Sequence, residues 1–169
     1  METSSTWTVP NREPTLRFML SHPAHTVSLG FGAGLIPVAP GTWGALLGLF
    51  LARWLQPAWG DAVYFAALAG AFLIGIWAAQ VTGGALGKSD HSAIVWDETV
   101  AMALVAGMFP DSLREQAIMF LVFRLFDIWK PGPIGWVDRR VKGGLGVMLD
   151  DLVAASVGLF FAAVVIRVW

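Results

Sequence analysis

Residues 123–151 read FRLFDIWKPGPIGWVDRRVKGGLGVMLDD and hold four acidic and five basic side chains in a chain that is otherwise apolar. The stretch begins inside an apolar run, is interrupted at Pro131 and Pro133, crosses a basic glycine-rich loop, and ends with Asp150 and Asp151 at the start of another apolar run. Ionisable groups at the ends of membrane-length segments are costly, and they usually line a polar cavity or face the aqueous boundary. The stretch therefore predicts half of an active site between two helices.

The composition of the chain indicates an integral membrane protein of one domain. Of its 169 residues, 56% are hydrophobic and 14% are charged, with a mean hydropathy of +0.65, whereas about a quarter of the residues of a soluble domain are charged. A net charge of −1 gives no reason to expect a nucleic-acid partner. Because the chain has no cysteine, disulfides and cysteine-based phosphatases are excluded.

The apolar runs predict an all-α fold, a polytopic transmembrane bundle with about four to five membrane spans. The first run, residues 26–55, contains prolines at positions 37 and 40, so we expect a broken or re-entrant piece followed by a helix that starts near Thr42. The longest uninterrupted run, residues 62–81, would reach roughly 30 Å as a helix. Further spans are expected at residues 94–109, 116–129 and 147–169.

The basic residues of the loops predict how the bundle is oriented. Short cytosolic loops are enriched in Lys and Arg. With five crossings and the N-terminus inside, seven such residues lie inside and three lie outside or near outer helix ends. Residues 1–25, which show no signal peptide, are then a polar cytosolic segment, and residues 26–169 are a single membrane-embedded domain.

This orientation gathers five carboxylates from three helices at one depth, namely those of Asp97, Glu98, Asp127, Asp150 and Asp151. The basic loop lies at the same level, as does the helix start at Thr42, where free backbone N–H groups could hold phosphate; a plain capped kink at Thr42 is an equal alternative. Mg²⁺ prefers oxygen ligands and retains exchangeable waters. The pattern favours a site for Mg²⁺ and a phosphate group, because metal ions neutralise phosphoryl oxygens and lower the pKa of bound water.

A structural explanation of the same charges is that they pair with one another and cap helix ends. Arg124 would pair with Asp127, and Arg139 or Arg140 would pair with one of the two aspartates at the start of the last span. Acids also suit helix N-termini because of the helix dipole. In that case the charges would mark topology and would carry no chemistry.

Three motifs, in this order along the chain, resemble the bacterial phosphatidylglycerophosphatase A family: WDE at residues 96–98, FRLFDIWKPGPI at 123–134, and GGLGVMLDD at 143–151. PGTWG at residues 40–44 and the HSAIVWDE run that begins at His91 belong to the same resemblance, which covers roughly residues 28–158. The chain departs from the expected pattern at Gly132, where a bulkier residue is usual in the K-P-x-P turn.

The resemblance implies a Mg²⁺-dependent lipid phosphatase of the bacterial inner membrane, multi-pass, which removes the terminal phosphate of phosphatidylglycerophosphate to give phosphatidylglycerol and phosphate. The matching positions imply catalytic candidates, which are Asp97, Glu98, Asp127, Asp150 and Asp151. Metal ligation is expected from four of them: Glu98, Asp127, Asp150 and Asp151. With the basic loop and the helix start included, the candidates for binding the substrate phosphate on the cytosolic side are Thr42, Arg124, Lys130, Arg139 and Lys142.

The expected nucleophile is a metal-activated water, because the D-x-D-x-T signature of enzymes that form an aspartyl-phosphate is missing. A small ion or metabolite transporter with a cytosolic-side acidic site is the alternative, but we find no internal repeat of the kind that many transporters show. Phosphotransferases acting on CDP-linked lipids are also acid-rich, yet their longer pattern of spaced aspartates is absent. The glycine-rich residues 82–93 lack Walker spacing, which argues against a nucleotide site.

Overall fold

The computed structural model describes residues 13–168, with side chains described as far as residue 164. This part of the chain is all-helical and contains no strand, which confirms that the predicted fold is all-α. Its elements, in order, are α1 (Leu16–Leu20), α2 (Pro23–Ser28), a 3-10 segment (Gly30–Leu35), α3 (Pro40–Trp59), α4 (Asp61–Leu86), α5 (Trp96–Ala106), α6 (Leu113–Trp129), α7 (Pro133–Arg140) and α8 (Gly143–Val168).

The segment predicted as a polar N-terminal lead-in is folded from residue 16 onward. Thr15 Oγ1 accepts a hydrogen bond from the Phe18 N–H at 3.2 Å and caps α1. Phe18 and Met19 are buried in a small apolar cluster that also contains Leu86 at the end of α4. Residues 1–12 of the predicted segment lie outside the described residues. The described part of the lead-in is therefore packed onto the helical domain.

The first apolar run is broken, as its prolines and glycines predict. The 3-10 segment contains Phe31 and Gly32 with φ of +54° and +114°, which no regular helix tolerates. The following helix starts at Pro40, whose fixed φ suits a first helical position. Its N-cap residue is Ala39, with φ +50° and no side-chain cap. The expectation that Thr42 could serve as N-cap is therefore wrong, because the helix begins two residues earlier.

Helices α3 and α5 pack backbone to backbone. A Cβ added at Gly48 would lie 2.2 Å from the carbonyl oxygen of Thr99, so only glycine permits this approach. The Thr99 hydroxyl also donates to the carbonyl oxygen of Gly44 at 3.0 Å. These contacts hold the N-terminal half of α3 beside the start of α5.

Two described helices are long and apolar enough to cross a membrane: Asp61–Leu86 and, within α8, Gly143–Val164, with mean hydropathies of 2.0 and 1.9. The other predicted spans are shorter or less apolar than expected. The 11 residues of α5 reach about 16 Å, roughly half the thickness of a bilayer's hydrocarbon core. Only two of the four to five expected spans therefore have membrane length and apolarity within residues 13–168.

Candidate active site

Three carboxylates from two helices meet in the interior of the bundle. Asp97 and Glu98 occupy the first turn of α5, where the partial positive charge of a helix N-terminus favours acids. Asp151 comes from α8. One carboxylate oxygen of each residue lies within 4.8 Å of the other two. These three residues, called the acid triad below, form a group that could hold a metal ion.

Each member of the acid triad has a buried oxygen with no hydrogen-bond partner among the described residues: Asp97 Oδ1, Glu98 Oε2 and Asp151 Oδ2. Asp97 and Asp151 are only 7% and 3% exposed. Burying an ionised carboxylate costs several kcal/mol unless another charge compensates it, and native proteins pair such groups or use them to coordinate metals. The donor set therefore fits a hard divalent cation such as Mg²⁺.

Arg124 connects the acid triad to α6. Its Nη1 atom lies 2.5 Å from Oδ2 of Asp127, one turn further along the same helix, and 3.6 Å from Oε1 of Glu98 on α5. The predicted pairing of Arg124 with Asp127 is therefore present. Arg124 was also predicted to bind the substrate phosphate; the structure shows its guanidinium on two carboxylates, and the phosphate role stays a prediction.

The first turn of α3 closes over the same charges. A Cβ added at Gly41 would lie 2.0 Å from Oε1 of Glu98 and 3.2 Å from Nη1 of Arg124. Thr42 is therefore next to a residue in contact with the site. Its backbone N–H donates to the carbonyl oxygen of Ala39 at 2.9 Å, so that this amide is used inside the helix.

Lys130 forms a second charged group beside the triad. It ends α6 in the left-handed conformation, with φ +46°. Its Nζ donates to Oδ1 of Asp138 on α7 at 2.9 Å and also to Oδ2 of Asp150 on α8. Burial acts to lower the pKa of Lys130, but the hydrogen bonds to the two carboxylates outweigh it and raise the pKa. The hydrogen bond from Lys130 also lowers the pKa of Asp138.

The remaining predicted phosphate-binding residues lie on or just after α7, which occupies the loop between α6 and α8. Arg139 is exposed, and the Arg140 guanidinium lies 5.9 Å from the centre of the Trp136 ring. Lys142 Nζ donates to the backbone carbonyl of Asp138 at 2.9 Å. Within residues 13–164, no ion pair joins Arg139 or Arg140 to the aspartates of α8. The pairing predicted for these two arginines is therefore wrong, because Lys130 occupies Asp150.

The structure thus brings all five predicted carboxylates into one neighbourhood. Asp127 and Asp150 both interact electrostatically with Asp97 and Asp151 of the triad. Two contributors were missed. Asp138 was counted among the acids of the charged stretch, but its spacing from Lys130 gave no sign of contact. Gly41 belongs to the PGTWG motif, but its contact with Glu98 depends on helices that are distant in sequence and could not be predicted from the motif.

Comparison with known proteins supports the resemblance of the motifs. Residues 26–166 match the family model described as phosphatidylglycerophosphatase A. The chain is 42% identical over 144 residues to phosphatidylglycerophosphatase A of Haemophilus influenzae, covering 84% of this chain and 88% of that protein. It is 37% identical over 151 residues to phosphatidylglycerophosphatase A of Escherichia coli K12, covering 86% of each. No solved structure matches the chain.

The matched region contains every residue of the acid triad, and it also contains Arg124 and Lys130 with the acids that they pair with. Both relatives are phosphatases by name, and each is matched over most of its length. The predicted resemblance is confirmed, and so is the assignment as an enzyme: the chain belongs to the phosphatidylglycerophosphatase A family of phosphatases.

Proposed function

We propose that this protein is a Mg²⁺-dependent lipid phosphatase that hydrolyses the terminal phosphomonoester of phosphatidylglycerophosphate to phosphatidylglycerol and phosphate. The names of its relatives support the substrate. The observation that carries the chemistry is the acid triad, in which one oxygen of each residue lies within 4.8 Å of the others. Each triad residue also has a buried oxygen without a partner among the described residues, as a cation-binding group requires.

Asp97, Glu98 and Asp151 are the residues that would hold Mg²⁺. The bound ion would neutralise phosphoryl oxygens and lower the pKa of a water, which makes a nucleophile available at neutral pH. Of the four predicted metal ligands, Glu98 and Asp151 belong to this set. Asp127 and Asp150 each have one oxygen already bound to a basic side chain, and we therefore place them beside the metal site.

The residues around the triad position the reacting groups. Arg124 holds Glu98 and Asp127 in fixed relative positions, which limits the reorganisation needed when charge develops on the phosphoryl group. A water attacks phosphorus in line, and the bond between phosphorus and the glycerol oxygen breaks. The proton of the water goes to a carboxylate, for which we propose Asp127, and the resulting carboxylic acid gives that proton to the glycerol oxygen, which leaves as a hydroxyl.

We further propose that the protein is a multi-pass protein of the bacterial inner membrane, with the site on the cytosolic side. Two apolar helices, α4 and α8, support insertion. The basic residues of α7 and its C-terminal end, Arg139, Arg140 and Lys142, lie next to the start of α8, as the enrichment of Lys and Arg in cytosolic loops would require. Labelling Ser89→Cys or Ser92→Cys in sealed vesicles with a membrane-impermeant thiol reagent tests this orientation, because the native chain has no cysteine.

The experiment that tests the function is phosphate release from phosphatidylglycerophosphate by the purified chain, with Mg²⁺ and with a chelator. Asp97→Asn and Asp151→Asn should reduce turnover by more than about 100-fold and weaken Mn²⁺ binding measured by electron paramagnetic resonance. Asp111→Asn, on the exposed α5–α6 connection, is the matched control and should leave both unchanged. Full turnover without divalent ions would contradict the metal site. Ion or metabolite flux in liposomes without any hydrolysis would favour the transporter instead.

A further inference from the structure

A polar cavity of about 130 Å³ lies beside the acid triad, between the α4–α5 loop and the corner where α7 meets α8. A cavity of roughly 10–15 Å³ holds one water, so this one has room for a small hydroxyl-bearing group. Its polar side chains are Ser89, Asp90, Asp138, Lys142 and Asp150. Nothing in the proposed chemistry of the triad uses this space.

One face of α8 joins the cavity to the triad. Gly143, Gly146, Val147 and Asp150 line the cavity, and their spacing places them on a single helical face. Asp151 follows Asp150 directly, and successive helical residues point about 100° apart. The same turn of α8 therefore presents Asp151 to the triad and Asp150 to the cavity. A group held in the cavity would be adjacent to a phosphate held at the triad.

Asp150 is the observation that indicates a ligand. The residue is only 5% exposed. Its Oδ2 accepts the hydrogen bond from Lys130, whereas its Oδ1 is buried and has no partner among the described residues. A buried carboxylate oxygen left without a donor is costly. Because Asp150 also lines the cavity, a hydroxyl group bound there would lie next to this carboxylate as a donor.

The charges around the cavity favour a neutral ligand over an ion. Asp90, Asp138 and Asp150 are balanced in large part by two ammonium groups, since Lys130 bonds to the latter two aspartates and Lys142 lines the cavity. A phosphate would meet three carboxylates, and a cation would compete with two lysines. A hydroxyl group can both accept a hydrogen bond from an ammonium group and donate one to a carboxylate.

The loop that carries Ser89 and Asp90 is held at both ends. Gly87 ends α4 in the left-handed conformation, with φ +74°, and the Lys88 N–H donates to the carbonyl oxygen of Gly83 at 3.0 Å. On the other side, His91 Nδ1 accepts from the Ala93 N–H at 3.1 Å. These contacts hold the backbone of the loop before any ligand binds, which lowers the cost of ordering it.

We propose that this cavity binds the free hydroxyl of the glycerol that lies between the two phosphates of the substrate, with Ser89 and Asp90 as specificity-determining residues. The proposal rests on the proposed function and adds to it how the headgroup is recognised. The terminal phosphate lies at the triad, and the neighbouring hydroxyl donates to the carboxylate of Asp150 while Ser89 and Asp90 complete its hydrogen bonds. A phosphomonoester lipid without that hydroxyl leaves these polar groups unpaired and is hydrolysed more slowly.

The test compares two substrates in mixed micelles with the full chain: phosphatidylglycerophosphate, and its analogue in which the free headgroup hydroxyl is replaced by hydrogen. The wild-type protein should prefer the natural headgroup in kcat/KM by about 10-fold or more. Ser89→Ala and Asp90→Asn should each lower kcat/KM for the natural substrate by about 5- to 10-fold and change that for the analogue less than about 2-fold. Ser92→Ala, an exposed serine of the same loop that does not line the cavity, is the control.

The outcomes separate this inference from the function on which it rests. Equal rates of the wild-type protein on both substrates would overturn the hydroxyl site while phosphatase activity stands. Equal losses on both substrates in the two variants would show that Ser89 and Asp90 support the fold only, and would also overturn it. Absence of phosphate release from either lipid by the wild-type protein would instead contradict the proposed function.

Discussion

The Nη1 atom of Arg124 on α6 lies 3.6 Å from Oε1 of Glu98 on α5. The same nitrogen is 2.5 Å from Oδ2 of Asp127, so that one guanidinium spans two carboxylates of different helices. Its Nε atom is buried without a partner among the described residues. Arg124 therefore fixes the acidic side chains of two helices relative to each other, and its Nε–H group remains as an unused donor beside the site.

Replacing Arg124 should reduce activity because Glu98 and Asp127 would no longer be held in their positions. Arg124→Gln removes the charge-assisted hydrogen bond to Asp127, worth about 1.5–3 kcal/mol, together with the ion pair with Glu98, and we expect phosphate release to fall about 10- to 100-fold. Arg124→Lys keeps the charge but loses the planar fork, so its loss should be smaller. Thermal unfolding of both variants checks that they fold. Near-wild-type turnover of Arg124→Gln would contradict the positioning role.

A methyl group at Gly41 should displace Glu98. An added Cβ would lie 2.0 Å from Oε1 of Glu98, and we expect Gly41→Ala to lower kcat by about 10-fold or more, because a displacement of about 1 Å can be this costly. Gly70→Ala is the matched control, since nothing lies within 4 Å of a Cβ at that helical position. The control should keep full activity and gain slightly in stability. Equal activity of the two variants would show that the α3 turn does not constrain Glu98.

The Lys130–Asp138 pair should contribute to stability in a pH-dependent way. A carboxylate whose folded pKa is lowered stabilises the fold above its unfolded pKa of about 3.9, and that stabilisation is lost as the pH falls through the folded value. We expect Asp138→Asn to lower Tm modestly at about pH 7 and to lower it by less near pH 3. Thermal unfolding across this range measures the difference, with Asp111→Asn correcting for the change in net charge. A difference in Tm between the wild-type protein and Asp138→Asn that grows toward low pH would contradict the pairing of Asp138 with Lys130.

Tyr64 should matter for stability and not for catalysis. Its side chain is 2% exposed, and its hydroxyl donates to the carbonyl oxygen of Ala103 on α5 at 2.7 Å. Tyr64→Phe removes this hydrogen bond while the Gly107 N–H still donates to the same carbonyl, and we expect a loss of about 0.5–1.5 kcal/mol in the free energy of unfolding. Phosphate release by the folded protein should be unchanged, because Ala103 lies more than one turn beyond Glu98. Thermal unfolding and the phosphate assay separate the two effects.

The sequence predicted which acidic residues would lie close together better than it predicted the lengths of the helices that carry them. Apolar composition and the break at residues 37–40 are local properties, and the all-α fold and the interrupted first segment followed from them. The lengths of α5 and α6 did not follow. Apolar runs include flanking residues that cap or leave the helix, such as Ile94 and Val95, which lie before α5 begins.

The amino-acid sequence by itself determined the family, the absence of thiol chemistry, and the five carboxylates on three helices, because these depend only on residue type and order. Only the tertiary structure decided how the carboxylates divide. Asp97, Glu98 and Asp151 share one small volume, Asp127 binds Arg124, and Asp150 binds Lys130 and lines a cavity. Adjacent residues in a helix point about 100° apart, so Asp150 and Asp151 face different neighbours, and those neighbours come from elements distant in the chain.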